Sequence, residues 1–187
     1  NPTGHYPQVS SNAFIDPTAI ICGNVIIEDN VFVGPYAVIR ADEVDENGDM
    51  KPIIIKRDSN IQDGVVIHSK GGAAVYIGER SSIAHRSIIH GPCEVSDDVF
   101  VGFNTVIFRA HIGSGCVIRH NCVVDGMDLP DKFHVPPMTN IGPGFDLNSI
   151  EPVPPEYSSF SESVVSANHA LVEGYKKLNN ELWPLLI

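Results

Sequence analysis

Residues 15–38 read IDPTAI ICGNVI IEDNVF VGPYAV when broken every six positions. Each block opens on an aliphatic residue (Ile15, Ile21, Ile27, Val33) and carries a small or β-branched residue fifth (Ala19, Val25, Val31, Ala37). Ile39 opens the next block. After an interruption at 41–54 the register resumes at Ile55, Ile61 and Ile67; after a second at 69–76 it continues at Ile77, Ile83, Ile89, Val95, Val101 and Ile107. One residue is dropped before Ile112 and Ile118 finish the run. This period predicts a mainly β fold, a parallel β-helix of short strands wound into stacked triangular coils. The first residue of each block points into a narrow lumen, the fifth fits near a corner, and Gly, Asn and Asp between them serve the turns.

Outward from the repeat, residues 1–14 read as an N-terminal extension, 15–129 as the β-helix and 130–158 as a Pro-rich crossing with DLPDKFHVPP and EPVPPE. Residues 159–187 read as a C-terminal helix packed on the coil wall. Ser159 and Glu162 suit a capping box. Val164, Leu171, Tyr175, Leu178 and Leu182 make a stripe at helical spacing, and Asn168 falls on it. Cys93, Cys116 and Cys122 occupy fifth places, which predicts buried, disulfide-free filler. The net charge of −11 argues against a nucleic-acid partner, and no apolar run is long enough to span a membrane. With no signal peptide evident, a cytoplasmic location is the expectation. A secreted or periplasmic one stays open because the chain starts at Asn1 rather than Met.

Three blocks close one coil, so residues in equivalent places of blocks three apart stack at about 4.8 Å. His68 and His90, each second in its block, therefore stack in adjacent coils, with Arg40 beneath His68. Two imidazoles so placed can converge on one ion at zinc–nitrogen distances of about 2.0–2.1 Å. His85, third in its block over Asp63 and near Gln62, belongs to a different side of the triangle. It cannot complete the pair within one chain, but a threefold homotrimer would bring one chain's His85 face against the next chain's His68/His90 face. Both interruptions leave the coil just after Arg40 and His68, and Asp42 and Glu43 open the first of them.

The runs IRADE (39–43), RDSNIQDGVVIH (57–68), IAHRSIIHGP (83–92) and VFVGFNTVIF (99–108), with NHALVEGYKK (168–177), resemble gamma-class carbonic anhydrases. The resemblance covers roughly residues 12–142 and the helix segment. It implies a left-handed β-helix, an exception to the right-handed crossover rule, assembled as a homotrimer with metal sites between subunits. By motif, His68 and His90 of one chain and His85 of its neighbour are the metal ligands. Glu43, Gln62, Asn60 and Asn168 fall on active-site positions, and Arg40, Asp42 and Asp63 on interface or site-supporting ones. The implied reaction is reversible hydration of CO₂ to bicarbonate by a metal-bound hydroxide, with Zn²⁺ the default and Fe²⁺ or Co²⁺ also suited to three histidines.

One departure stands out. A characterised archaeal enzyme of the class carries a long acidic loop with a proton-shuttling glutamate after the first histidine; here that segment is SKGGAAVY. The first loop, EVDENGDMKP, is instead the acidic one, and Glu46 and Asp49 are its candidate proton carriers. Two rival readings remain: a hexapeptide-repeat acyltransferase, and a weakly active trimeric carbonic-anhydrase-like scaffold subunit. The stacked second histidine and Gln62 are superfluous for acyl transfer.

Overall fold

The structure, a computed structural model, describes residues 3–182. It is a parallel β-helix of three sheets with one long helix laid along one of them. Face I stacks Gln8–Val9, Val25–Ile27, Ile53–Ile55, Val75–Ile77, Cys93–Val95 and His111–Ile112. Face II stacks Phe14–Ile15, Phe32–Val33, Asn60–Ile61, Ser82–Ile83, Phe100–Val101, Val117–Ile118 and His134–Val135. Face III stacks Ile20–Gly23, Val38–Ala41, Val66–Ser69, Ile88–Gly91, Val106–Phe108, Val123–Asp125 and Asn140–Ile141. The coils thus start earlier and end later than the aliphatic period alone indicates. Gln8 pairs with Ile26 below the first block, and His134 and Asn140 pair above the last. Phe145, Leu147 and Ile150 then pack against the core.

The first place of each block does point inward. Ile27, Ile55, Ile61, Ile67, Ile77, Ile83, Ile89 and Ile107 are fully buried, each burial worth about 1.5–3 kcal/mol. Fifth-place side chains are buried at the corners, where hydroxyls meet carbonyls that the turn leaves unpaired. Ser81 donates to Ser96 O (2.7 Å), Ser87 to Gly102 O (2.7 Å) and Thr105 to Arg119 O (2.9 Å). The fourth place is where the chain turns. Asn30, Asp58, Arg80 and Asp98 at one corner, and Tyr36, Gly64, Arg86 and Asn104 at the next, all hold φ between +53° and +67°. The four cysteines are free, and Cys93, Cys116 and Cys122 are buried fillers.

The helix spans Pro155–Leu182, four residues earlier than expected. Pro155 sits where a missing N–H costs nothing, and the Pro154 carbonyl accepts from Tyr157 N (3.0 Å). Ser159 and Glu162 lie inside the helix, so they make no capping box. The buried side also differs from the expected stripe. Val172 is buried on Phe14 and Phe32, and Tyr175 stacks on Phe14 (4.5 Å). Leu171 and Leu178 stay 42% and 45% exposed. The side chain of Leu182 lies outside the described residues. No helix among the described residues is long and apolar enough to cross a membrane.

Face I is edged by ion pairs such as Lys56–Glu28 (2.5 Å), and face II is covered by the helix. The outward column of face III is aliphatic from Ile20 through Val38, Val66, Ile88 and Val106 to Val123, and ends at Asn140. Ile20, Ile88 and Val123 are 56%, 40% and 36% exposed.

Candidate metal centre on the third face

Parallel pairing on face III places Arg40 beside His68, and His68 beside His90, in one column. His68 Nδ1 stands 3.3 Å from His90 Nε2. His90 Nδ1 lies 3.1 Å from Gly91 O, so it carries the proton and leaves Nε2 a lone pair aimed at His68. Two nitrogens at about 2.05 Å from one tetrahedral ion would be about 3.3–3.4 Å apart. The observed 3.3 Å matches that geometry, and it is equally the length of a hydrogen bond between the two rings.

Behind the pair is an acidic rim. Where the chain leaves the coil after Ala41, Asp42 Oδ1 comes 3.7 Å and Glu43 Oε1 3.4 Å from His68 Nε2, a buried atom with no hydrogen-bond partner of its own. Arg40 grips Asp42 through Nε (3.1 Å) and Nη2 (3.0 Å). Being half exposed, that pair adds at most about 1 kcal/mol; its effect is to aim the carboxylate. The first loop is shaped by Asp45, whose carboxylate accepts from Asn47 N and Asp49 N (both 2.9 Å). It lies on the second loop, where a Cβ at Gly71 would come 2.2 Å from Val44 O. The short SKGGAA segment is therefore the complement of the longer first loop, a relation the sequence did not reveal.

His85 is elsewhere, at the corner between faces II and III. Its Nδ1 is 3.6 Å from Asp63 Oδ2, and it borders a hollow of about 430 Å³ with Arg86, Phe103 and Asn104. Among the described residues no three His, Cys, Asp or Glu side chains gather in a metal-holding cluster within one chain. The chain itself thus presents a two-histidine half-site and a separate third histidine.

Asn60 and Gln62 lie at the level of His68 but under the helix. Gln62 Nε2 donates to Asn60 Oδ1 (2.9 Å), and Asn60 Nδ2 donates to Ser82 Oγ (2.7 Å). These bonds fix both amides and leave Gln62 Oε1 as the free acceptor. Asn168 is buried on the same side of the helix, its amide donating to Val164 O (2.9 Å). It lies between Val164, which packs near Ala84 and Phe100, and Val172, which packs on Phe14 and Phe32. That interval is the level of Asn60. Ser82 escaped the sequence reading; only its place one coil above Asn60 could have marked it. His134, against Tyr157, is pushed below the usual histidine range by burial and by the Arg119 cation.

Comparison with known proteins bears on the family and the fold. Residues 6–41 match the bacterial transferase hexapeptide (six repeats) family. The carbonic anhydrase of Methanosarcina thermophila is 34% identical over 95% of this chain and 78% of its own length. The carboxysome assembly protein CcmM of Nostoc sp. is 33% identical over 90% of this chain, which spans only 31% of that longer protein. Among solved structures, a hexapeptide transferase family protein from Anaplasma phagocytophilum aligns with TM-score 0.77 over 92% of this chain and 94% of its own. At 24% identity that likeness speaks to the fold.

Proposed function

The chain belongs to the gamma-class carbonic anhydrases of the hexapeptide-repeat family, and from that premise we propose that it hydrates CO₂ reversibly at metal sites shared between the subunits of a homotrimer. The observation that carries the reading is the 3.3 Å approach of His68 Nδ1 and His90 Nε2 beside a buried, unpartnered His68 Nε2. The donor set fits a borderline divalent ion: two neutral imidazoles from one chain, with His85 of the neighbouring chain as third. Such an ion, Zn²⁺ or alternatively Fe²⁺ or Co²⁺, supplies Lewis acidity and makes a coordinated water acidic near pH 7.

The chain's own groups do the rest. Asp42 and Glu43 stand 3.7 and 3.4 Å from His68 Nε2, and closing to hydrogen-bond distance would let either orient that ring as outer carboxylates commonly do for ligating histidines. Glu43, half exposed, has the reach to take the proton that a coordinated water would give up and pass it to solvent, or to hydrogen-bond the bicarbonate product. Gln62 Oε1, its amide immobilised through Asn60 and Ser82, accepts a hydrogen bond from the attacking water and so directs its lone pair at CO₂. Asn168 closes that side of the pocket from the helix. Asp63 and Arg40 support the edges at which neighbouring chains meet.

Support for the trimer comes from the bare aliphatic column of face III, which lies alongside the His68/His90 column. Burying it against a neighbour removes an apolar stripe that a monomer would leave in water. A second reading, a scaffold that binds metal but turns over slowly, is favoured by the lack of any acid in residues 69–76. Stopped-flow CO₂ hydration on protein reconstituted anaerobically with Zn²⁺, Fe²⁺ or Co²⁺, alongside metal analysis, tests the proposal. Stoichiometric metal with hydration well above buffer is expected. Stoichiometric metal without hydration selects the scaffold, and absence of metal uptake overturns both.

A further inference from the structure

His68 and His90 steady one another, but His85 stands alone on a turn with nearly half its side chain exposed. A ligand offered across an interface must be held by its own chain. Asp63 lies on one side of it at 3.6 Å, too far for a hydrogen bond. On the other side is Phe103, its ring centroid 5.2 Å from that of His85 and tilted by 41°. Phe103 is itself backed by His120, stacked at 4.4 Å and only 17° from parallel. The Phe103 backbone N–H donates to His120 Nδ1 (3.0 Å), which pins the second ring to the first residue's main chain.

These side chains occupy the third place of equivalent blocks in successive coils, and the places beside them are cut to fit. A Cβ at Gly102 would come 2.8 Å from His120 Nδ1, and one at Gly34 would come 2.7 Å from Asp63 Oδ1. Each glycine leaves room for the third-place side chain one coil above. Phe103 is 41% exposed and belongs to none of the buried apolar clusters. The core does not call for this aromatic pair.

We propose that Phe103 and His120 are positioning residues, a stacked aromatic buttress that confines the His85 imidazole to the orientation it presents to a neighbouring chain. The role rests on the reading of His85 as a ligand to a shared metal ion. The pair acts through His85. Its effect is to remove rotamer freedom from the one ligand that has no partner histidine in its own chain, so that less order must be imposed when the ion binds.

The test uses intact protein labelled with ¹³C at histidine Cε1, with His85 assigned from His85→Gln. In the metal-free state, ¹³C relaxation of the His85 ring reads its order directly. Phe103→Ala should lower that order markedly, and Phe103→Tyr should restore it. His120→Ala, which makes no contact with His85, should lower it partly. Co²⁺ affinity by chelator competition should fall on the order of tenfold in Phe103→Ala and recover in Phe103→Tyr, with oligomer mass unchanged. An equally ordered His85 ring in Phe103→Ala or, should that variant not fold, in His120→Ala overturns the proposal. If wild-type protein takes up no Co²⁺ while its His85 order still depends on Phe103, the buttress stands and the metal reading falls. If wild type binds Co²⁺ and Phe103→Ala binds it identically, the reverse holds.

Discussion

Mixing two inactive variants should rebuild metal sites in a proportion set by symmetry. His68 and His90 share face III, whereas His85 occupies the corner beside face II, and among the described residues no third ligand joins the pair within one chain. In the proposed trimer each site takes His68 and His90 from one chain and His85 from the next. A His85→Ala trimer then holds three pairs without a third ligand, and a His68→Ala trimer holds third ligands facing broken pairs. When equal amounts are unfolded together and reassembled at random, an interface is complete only if its first chain is His85→Ala and its second is His68→Ala. That is about half times half, or about a quarter of wild-type sites, and every mixed trimer of either composition carries one. Mass-tagged chains, native mass spectrometry to count trimer compositions, and metal analysis of the separated species supply the measurement. Mixed trimers devoid of metal refute the interface assignment. Full metal in the His85→Ala trimer refutes His85 as a ligand.

Native protein treated with a thiol reagent at pH 8 should lose Cys22 quickly and the other three thiols only on unfolding. Cys93, Cys116 and Cys122 are buried, and burial pushes Cys116 up to about 11; fast labelling of more than one thiol would contradict this. Gly71→Val should cost about 1–3 kcal/mol by driving a side chain into the Val44 carbonyl. It should also speed amide exchange in residues 42–52, and unchanged exchange there would mean the loops do not brace each other. Burial and then Arg119 lower the His134 pKa, so the unfolded chain takes up that proton first as pH falls. The contribution is intact above the unfolded value of about 6.5 and is lost as pH drops from there toward the folded pKa. His134→Gln should therefore lose less Tm than wild type between about pH 7 and 5; parallel melting curves would sink the assignment.

The β-helix was legible because each face of each coil buries its first-place side chain beside a smaller fifth-place one, so the aliphatic period states the register outright. Counting by six places Arg40, His68 and His90 in one column and Asp63 next to His85, and the strand pairing and contacts agree. The ends were less legible, since Val9, Val135 and Ile141 continue the coils without a clean repeat around them. The helix was least legible. The expected stripe finds Val164, Asn168 and Tyr175 on the packed side, but at its middle and end it takes the exposed Leu171 and Leu178 and passes over the buried Val172. A helix lying on a wall takes its facing from that wall, and here the wall contains Asn60 and Ser82. The aromatic pair Phe103 and His120 was invisible for another reason: a third-place residue is unconstrained by the lumen, so periodicity carries no information about it.

The polar layer under the helix bears on why Asn168 reaches the level of Gln62 at all. An α-helix rises about 5.4 Å per turn, and coils stack at about 4.8 Å. A uniformly apolar helix on a uniformly apolar face II could slide by one coil at little cost. The face is not uniform. Phe14 and Phe32 lie below, Ala84 and Phe100 above, and Asn60, Gln62 and Ser82 bond to one another between them. A slip of one turn would bring Val164 or Val172 over the amides and press the Asn168 amide, bonded to Val164 O of its own helix, onto a phenyl ring. The layer contributes little to holding the helix down, and its amides give it a different task. It would mark how far along the wall the helix sits, and with that the level of Asn168 between Val164 and Val172.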